Sequence, residues 1–271
     1  MTLTKDNTTI YVTRSLRNNS QYVIFLHCIE NLQKYLPDFH IIVICDNEKF
    51  TTETIQETDK LLTNVTFINS DFPTLGEWLP FYYHLRNHPT EYMLYIHDNT
   101  LITKEIDFDK IEEYINKYGL YHISVMPRQC YPSIKLVLDI YYYSISLFPF
   151  IKKYLLGKNL IYSSQGGQCF TSWNVINKIN EKYKVFDDMQ KILDSDIPPR
   201  IYRAIIEHFY AEMCYDVMNS EQLTESLFIS NEYVYTYFMK TFNEILTYKF
   251  YCQHQSEINP DVYIHFSFER S

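Results

Sequence analysis

EYMLYIHDNTLI, residues 91–102, decides the fold class. Its first half carries an unbroken apolar and aromatic run, Tyr92, Met93, Leu94, Tyr95 and Ile96. A run that short reads as a strand buried on both faces, as in a mostly parallel sheet covered by helices. It then turns to His97-Asp98-Asn99-Thr100, a row of polar groups at the strand's C-terminal end. In open α/β sheets that edge is where ligands bind, because the loops there are free of packing duty. The same residues are also good turn chemistry and need no ligand. Both readings stand at this point.

Working outward, residues 9–14 (TIYVTR) read as a first strand. A helix follows over 20–35, capped by Ser20, with Val23, Phe25, Leu26, Ile29 and Leu32 at helical spacing. HIIVIC at 40–45 is a second buried strand and runs straight into Asp46-Asn47-Glu48. A polar-faced helix over 52–62, a strand over 64–69 and a helix over 75–85 lead back to the opening stretch. This alternation implies right-handed crossovers and a parallel sheet with helices on both sides. Beyond it, a helix over 107–118 closes on Gly119 and a fifth strand spans 120–126. The remainder reads as long helices over 133–156, 171–193, 200–217 and 232–252, with a short strand at 262–266. There is no repeat and no Pro/Gly/Ser-rich linker. The reading is one domain, with residues 1–127 as a sheet-rich half and 128–271 as a helix-rich half.

Composition excludes several classes. The net charge of −9 and the lack of a Lys/Arg cluster argue against a nucleic-acid binder. The six cysteines show no CxxC spacing, so disulfides and a structural zinc are not expected. The most apolar segment, 134–150, is interrupted by Lys135, Asp139, Ser144, Ser146 and Pro149, too polar for a membrane span of ~20 residues. The chain starts without the long apolar stretch of a signal peptide. A soluble protein of a reducing, cytoplasmic compartment fits these features. Tyrosine is abundant, at 26 residues, and tyrosine-lined clefts suit sugars and nucleobases.

Neither G-x-G-x-x-G nor G-x-x-x-x-G-K-[ST] is present, and there is no G-x-S-x-G elbow. With five glycines, a phosphate cradle of backbone amides alone is not available. The polar residues that remain gather at strand ends: Thr13 and Arg14, Asp46 and Asn47, Asp71, and His97, Asp98 and Asn99. Four consecutive parallel strands place them along one sheet edge. A nucleotide lying across that edge could use Asp46 or Asn47 for its base or ribose. Later in the chain, Gly166-Gly167 lets backbone approach a ligand closely. Arg200 and Arg203 lie one turn apart, and Glu207 and Glu212 are carboxylates on the same helical segment. Trp78, spaced with Leu75 and Leu79, reads as core.

The order β-α-β-α-β-α-β followed by a short acidic motif resembles the nucleotide-sugar half of a GT-A-type glycosyltransferase. LYIHDNT is similar to that family's apolar run plus Asp-x-Asp-Thr, with His97 and Asn99 in the two acidic positions and Asp98 between them. LGEWLPFYYHLRN, SSQGGQCFTSWNVINKI and RIYRAIIEHFYAEM resemble segments of glycosyltransferases coded by large DNA viruses, which would place the protein in a host cytoplasm or a virion.

The resemblance implies a UDP- or GDP-sugar donor and a glycan or protein hydroxyl acceptor. It implies that Asp98, Asn99 and His265 hold Mn²⁺ or Mg²⁺ on the donor diphosphate, with His97 and Arg203 near it. Thr13, Arg14, Asp46 and Asn47 would hold the nucleoside, and Glu207 would be the base of an inverting reaction. His-Asp-Asn in place of Asp-x-Asp loses two charges, which weakens binding of a hard cation. The alternative is a catalytically inactive nucleotide- or sugar-binding protein, or a structural virion protein, of the same fold.

Overall fold

The computed structural model describes residues 3–46, 48–128, 161–187, 189–194, 199–228 and 264–265. The first strand, β1 (Thr8–Arg14), is buried along nearly its whole length. Helix α1 (Asn19–Tyr35) returns the chain to β2 (His40–Cys45). Its cap is Asn18, whose side chain accepts the Gln21 N–H at 2.9 Å, two residues earlier than the expected Ser20. Helix α2 (Glu53–Asp59), capped by Thr52, leads to β3 (Val65–Asn69). A single 3₁₀ turn (Gly76–Trp78) then runs into α3 (Leu79–Asn87) and the central strand β4 (Tyr92–His97).

The rest of the described chain comprises β5 (Thr100–Leu101), α4 (Phe108–Tyr118), β6 (Leu120–Arg128), β7 (Ile161–Ser164), β8 (Cys169–Ser172), α5 (Trp173–Tyr183), α6 (Met189–Leu193), α7 (Pro199–Met218), β9 (Ser226–Phe228) and β10 (Ile264–His265). Helix α4 follows its sequence signals closely. Asp107 caps it by accepting the Lys110 N–H at 3.0 Å, and Gly119 ends it. The helices expected over 133–156 and 232–252 lie outside the described residues.

The main sheet has the order β3-β2-β1-β4-β8-β6-β7, with β9 also paired to β6. Strands β1 to β4 are parallel, as expected, with Arg14 opposite Cys45 and Thr13 opposite both Ile44 and His97. The mostly parallel sheet flanked by helices is therefore the observed architecture. The expectation needs one correction beyond β4. The neighbour of β4 is β8, antiparallel to both β4 and β6, with Leu94 opposite Phe170 and Leu120 opposite Thr171. The expected helix over 171–193 takes in only the last two residues of this strand, and 169–170 carry no expected element. Ser172 ends the strand and at once caps α5, accepting the Val175 N–H, so no turn residue marks the change.

Side chains alternate between the two faces of the sheet. Arg14 faces α1, with Phe25, while Thr13 and Tyr95 face α3 and α7. On that second face Phe81 packs on Tyr210 at 4.2 Å between ring centroids, with Tyr95 and Phe186 close by. Tyr11, Tyr95 and Tyr210 are fully buried, so these tyrosines build the core. Trp78 is core as well, and its indole N–H reaches the Tyr202 carbonyl at 2.6 Å, tying the 3₁₀ turn to α7.

Candidate functional site

From β1 the chain winds outward to β2 and β3, then crosses back to place β4 on the other side of β1. The reversal opens a crevice at the carboxyl ends of β1 and β4, where α/β sheets bind ligands. Each face of the sheet brings its own charged cluster to that edge.

On the α1 face, Arg14 is buried. It donates to both Glu48 oxygens, at 2.5 and 3.1 Å, and to both Asp59 oxygens, at 2.9 and 3.1 Å. Its guanidinium lies over the rings of Phe25 and Phe67. Burial pushes that guanidinium down, but the carboxylates outweigh it and hold it above its ordinary value. A cation so enclosed is spent within the fold. A cavity of about 690 Å³ opens beside it, lined by Cys45, Glu48, Asp59, Phe67 and Asn69. Asp98 also belongs to this side. It is half-buried, accepts the Ser15 N–H at 3.4 Å, and burial pushes its carboxyl up to about 7.

On the α3 and α7 face, Glu77 is fully buried and takes a two-pronged bond from Arg203, with Nη2 to Oε1 at 2.6 Å and Nε to Oε2. The His97 ring nitrogen Nε2 lies 4.0 Å from Glu77 Oε1 and 3.0 Å from the Gly166 carbonyl oxygen. Burial raises the Glu77 carboxyl, yet Arg203 and then His97 more than offset it and hold it below the carboxylate range. Burial lowers the His97 imidazole, and Glu77 holds part of that drop back. Two glycines make room for this cluster. A Cβ on Gly166 would sit 2.5 Å from His97 Cε1, and one on Gly76 would sit 2.9 Å from Arg203 Nε. Both glycines have positive φ, 59° and 41°.

Asp46, at the end of β2, is buried and accepts the backbone N–H groups of Thr74 (2.5 Å) and Gly76 (3.1 Å). Burial raises its carboxyl, and those two donors hold part of the rise back. Thr74 has φ of 80°, a strained conformation for a β-branched residue, and Asp46 is what holds it. Asp46 thus fixes the loop that delivers Glu77.

The expected residues divide as follows. Thr13, His97 and Arg203 lie on the α3 and α7 face of the edge, and Asp98 on the α1 face. Thr13 Oγ1 shares a 3.2 Å hydrogen bond with Tyr95 Oη, and Tyr95 lies within electrostatic reach of Glu77, Arg203 and Glu207. Glu207 is half-buried one turn beyond Arg203. Arg14 and Asp46 sit at the expected edge, but their polar atoms are engaged by protein groups, which is a structural setting for residues expected to hold the nucleoside. Asn47 lies outside the described residues. His265 is brought beside the motif by the backbone: it stands opposite Thr100 in the β5–β10 ladder, while Asn99 is buried.

No group of three His, Cys, Asp or Glu side chains suited to a metal ion occurs among the described residues. Asp98 is the motif's one carboxylate, and the His97 ring is turned to Gly166. The described side chains of this set supply one carboxylate, fewer anionic oxygens than a hard divalent cation favours, and the His265 side chain lies outside the description.

Sequence reasoning missed Glu77 and Gln168. Glu77 stands between Gly76 and Trp78 in an otherwise apolar stretch, and a charge there calls for a partner. Gln168 is fully buried and accepts the His97 N–H at 2.9 Å, joining β4 to the 165–167 turn.

No family model matches the sequence, and no curated protein matches it. Among solved structures, S. aureus TarS 1–349 in complex with UDP is similar at 13% identity and a TM-score of 0.40, over 69% of this chain and 53% of that one. The mannosyltransferase Ktr4p from S. cerevisiae in complex with GDP is similar at 12% identity and a TM-score of 0.42, over 75% and 66%. The chain thus spans about half the length of the TarS structure. Likeness of this degree assigns no chemistry to any residue here. Among the described residues, no helix is long and apolar enough to cross a membrane.

Proposed function

We propose that the chain is a glycosyltransferase that moves a sugar from a UDP- or GDP-sugar to a hydroxyl group of a glycan or protein. The observation that carries this reading is the crevice itself. What supports it is that Thr13, His97 and Asp98 stand at the ends of β1 and β4, and that Arg203 and Glu207 of α7 lie within electrostatic reach of Tyr95, the hydrogen-bond partner of Thr13. A fixed positive charge and a carboxylate one helical turn apart match the needs of the reaction. The acceptor oxygen forms a bond to the anomeric carbon as the bond from that carbon to the diphosphate oxygen breaks. The electron pair departs with the diphosphate, beside Arg203. If the reaction inverts configuration, Glu207 takes the acceptor proton as general base. Retention needs no base in that role. With the metal fit unfavourable, no step passes through a cation.

The test is release of nucleoside diphosphate from a panel of UDP- and GDP-sugars. Asp98→Ala should lose turnover while keeping the parent's circular dichroism and melting profile. Its one hydrogen bond to Ser15 is long, so little of the fold depends on it. Full activity in that variant would remove Asp98 from the site. Failure of the parent to bind any of these nucleotides would replace the enzyme by the inactive or structural protein of the same fold.

A further inference from the structure

We propose that Glu77 is a positioning residue that sets Arg203 as the receptor for the donor diphosphate, which then binds without a divalent cation. This rests on the glycosyltransferase reading above. The observations are geometric. Glu77 is fully buried, whereas the Arg203 side chain is 27% exposed, so the pair has one end in the fold and one end towards solvent. Glu77 takes Nε and Nη2, which fixes the guanidinium plane and leaves Nη1 outside the fork. A Cβ on Gly76 would meet Arg203 Nε at 2.9 Å, so a side chain there would push the guanidinium out of this position. Asp46 anchors the same loop through Thr74 and Gly76, and the His97 ring nitrogen lies 4.0 Å from Glu77 Oε1. Three elements therefore converge to hold one cation still at the edge of the switch-point crevice. A planar, pre-oriented guanidinium suits phosphate oxygens better than a mobile ammonium does. The described residues offer no competing metal cluster.

The experiment is calorimetric titration of the full chain with UDP, GDP, uridine and guanosine, in chelator and then in Mn²⁺. The expected result is that one diphosphate binds in chelator. Glu77→Gln should weaken that diphosphate by roughly tenfold or more, the scale of a charge-assisted hydrogen bond, and leave the matching nucleoside unchanged. A purely structural role for Glu77 would weaken nucleoside and nucleotide alike, and that outcome overturns the proposal. Should Glu77→Gln not fold, Arg203→Lys keeps the charge and the ion pair but not the fork, and should show the same selective loss. Diphosphate binding that needs Mn²⁺, or that Arg203→Lys leaves intact, also overturns it. If the parent binds no nucleotide in either condition, the glycosyltransferase reading itself fails, a result distinct from the others.

Discussion

Two arginines stand at the same edge of the sheet, on opposite faces, and their settings differ in a telling way. Arg14 is held by two carboxylates, lies over two aromatic rings, and exposes 3% of its side chain. Arg203 is held by one carboxylate and exposes 27%. The first cluster has more negative than positive charge and presents no cation to a ligand. The second is balanced internally, with part of the Arg203 side chain still exposed. Burial of an ion pair is weak evidence for stability in itself, because desolvation offsets much of the attraction. Partner count and exposure, more than the pairing, separate an arginine that builds the fold from one that can serve it.

The largest expected effect breaks the comparison on the Arg14 side. Arg14→Ala strands Glu48 and Asp59 and removes both ring contacts. Loss of one partner from a buried pair costs about 3–5 kcal/mol. Arg203→Ala strands Glu77 alone and should cost less, by the worth of the two ring contacts, about 1–2 kcal/mol. Urea denaturation of the two variants measures the difference. Equal midpoints would mean that the clusters are equivalent and that the contrast drawn here is empty.

Gly166→Ala probes the support of the Arg203 side. The added methyl meets the His97 ring at 2.5 Å, and φ of 59° is unfavourable for any residue with a Cβ. A cost of about 1–3 kcal/mol is expected for a strained backbone of this kind. Displacing His97 should disturb Glu77 and hence any phosphate-dependent binding, whereas the Arg14 cluster should be indifferent. A variant with the parent's melting temperature would show that the 165–167 turn is freer than its contacts suggest.

How much of this was legible in the sequence follows from where each signal lives. Strands β1 to β4 were readable because burial on both faces makes each an apolar run with polar ends. Helix α4 was readable because Asp107 and Gly119 are local caps. Strand β8 was hidden, since four residues leading straight into a helix share its apolar spacing. The Glu77–Arg203 pair was hidden because its members are 126 positions apart, and no periodicity links residues so distant. Asp46 looked like a ligand contact because the sequence shows a carboxylate at a strand end. It cannot show the two backbone N–H groups that have already claimed it. The tyrosines were suggestive of a sugar cleft, yet their placement as core depends on aromatic packing between elements that only the fold brings together.

A pH-dependent effect extends the comparison to buried bases without a carboxylate partner. His84 lies edge-on to Tyr11 under the parallel strands, and His122 sits between Ser164 Oγ and Tyr215 Oη in the antiparallel part. Burial pushes both down to about 3, so both are neutral in the folded protein at pH 7. Once unfolded, each returns to its ordinary value of roughly 6.5. Between those limits the unfolded chain binds more protons, so stability is unchanged above about pH 6.5 and falls as the pH drops below it. The slope is about 1.4 kcal/mol per pH unit for each histidine. Glu77, held below the carboxylate range, adds its own acid sensitivity only lower down. Asp98, pushed up to about 7, and Asp46, also raised, take up protons in the fold over this range and oppose that fall, so the histidine contribution is read as the difference between the parent and a His84→Leu variant from pH 7 to 5. Replacing His84 by Leu should make the midpoint less acid-sensitive than the parent's by the slope of one histidine, and its ring has no side-chain hydrogen bond to lose. A parent-to-variant difference that stays flat to pH 5 would mean that the His84 ring gains a proton inside the fold, and with it a partner charge of the kind the two arginines have.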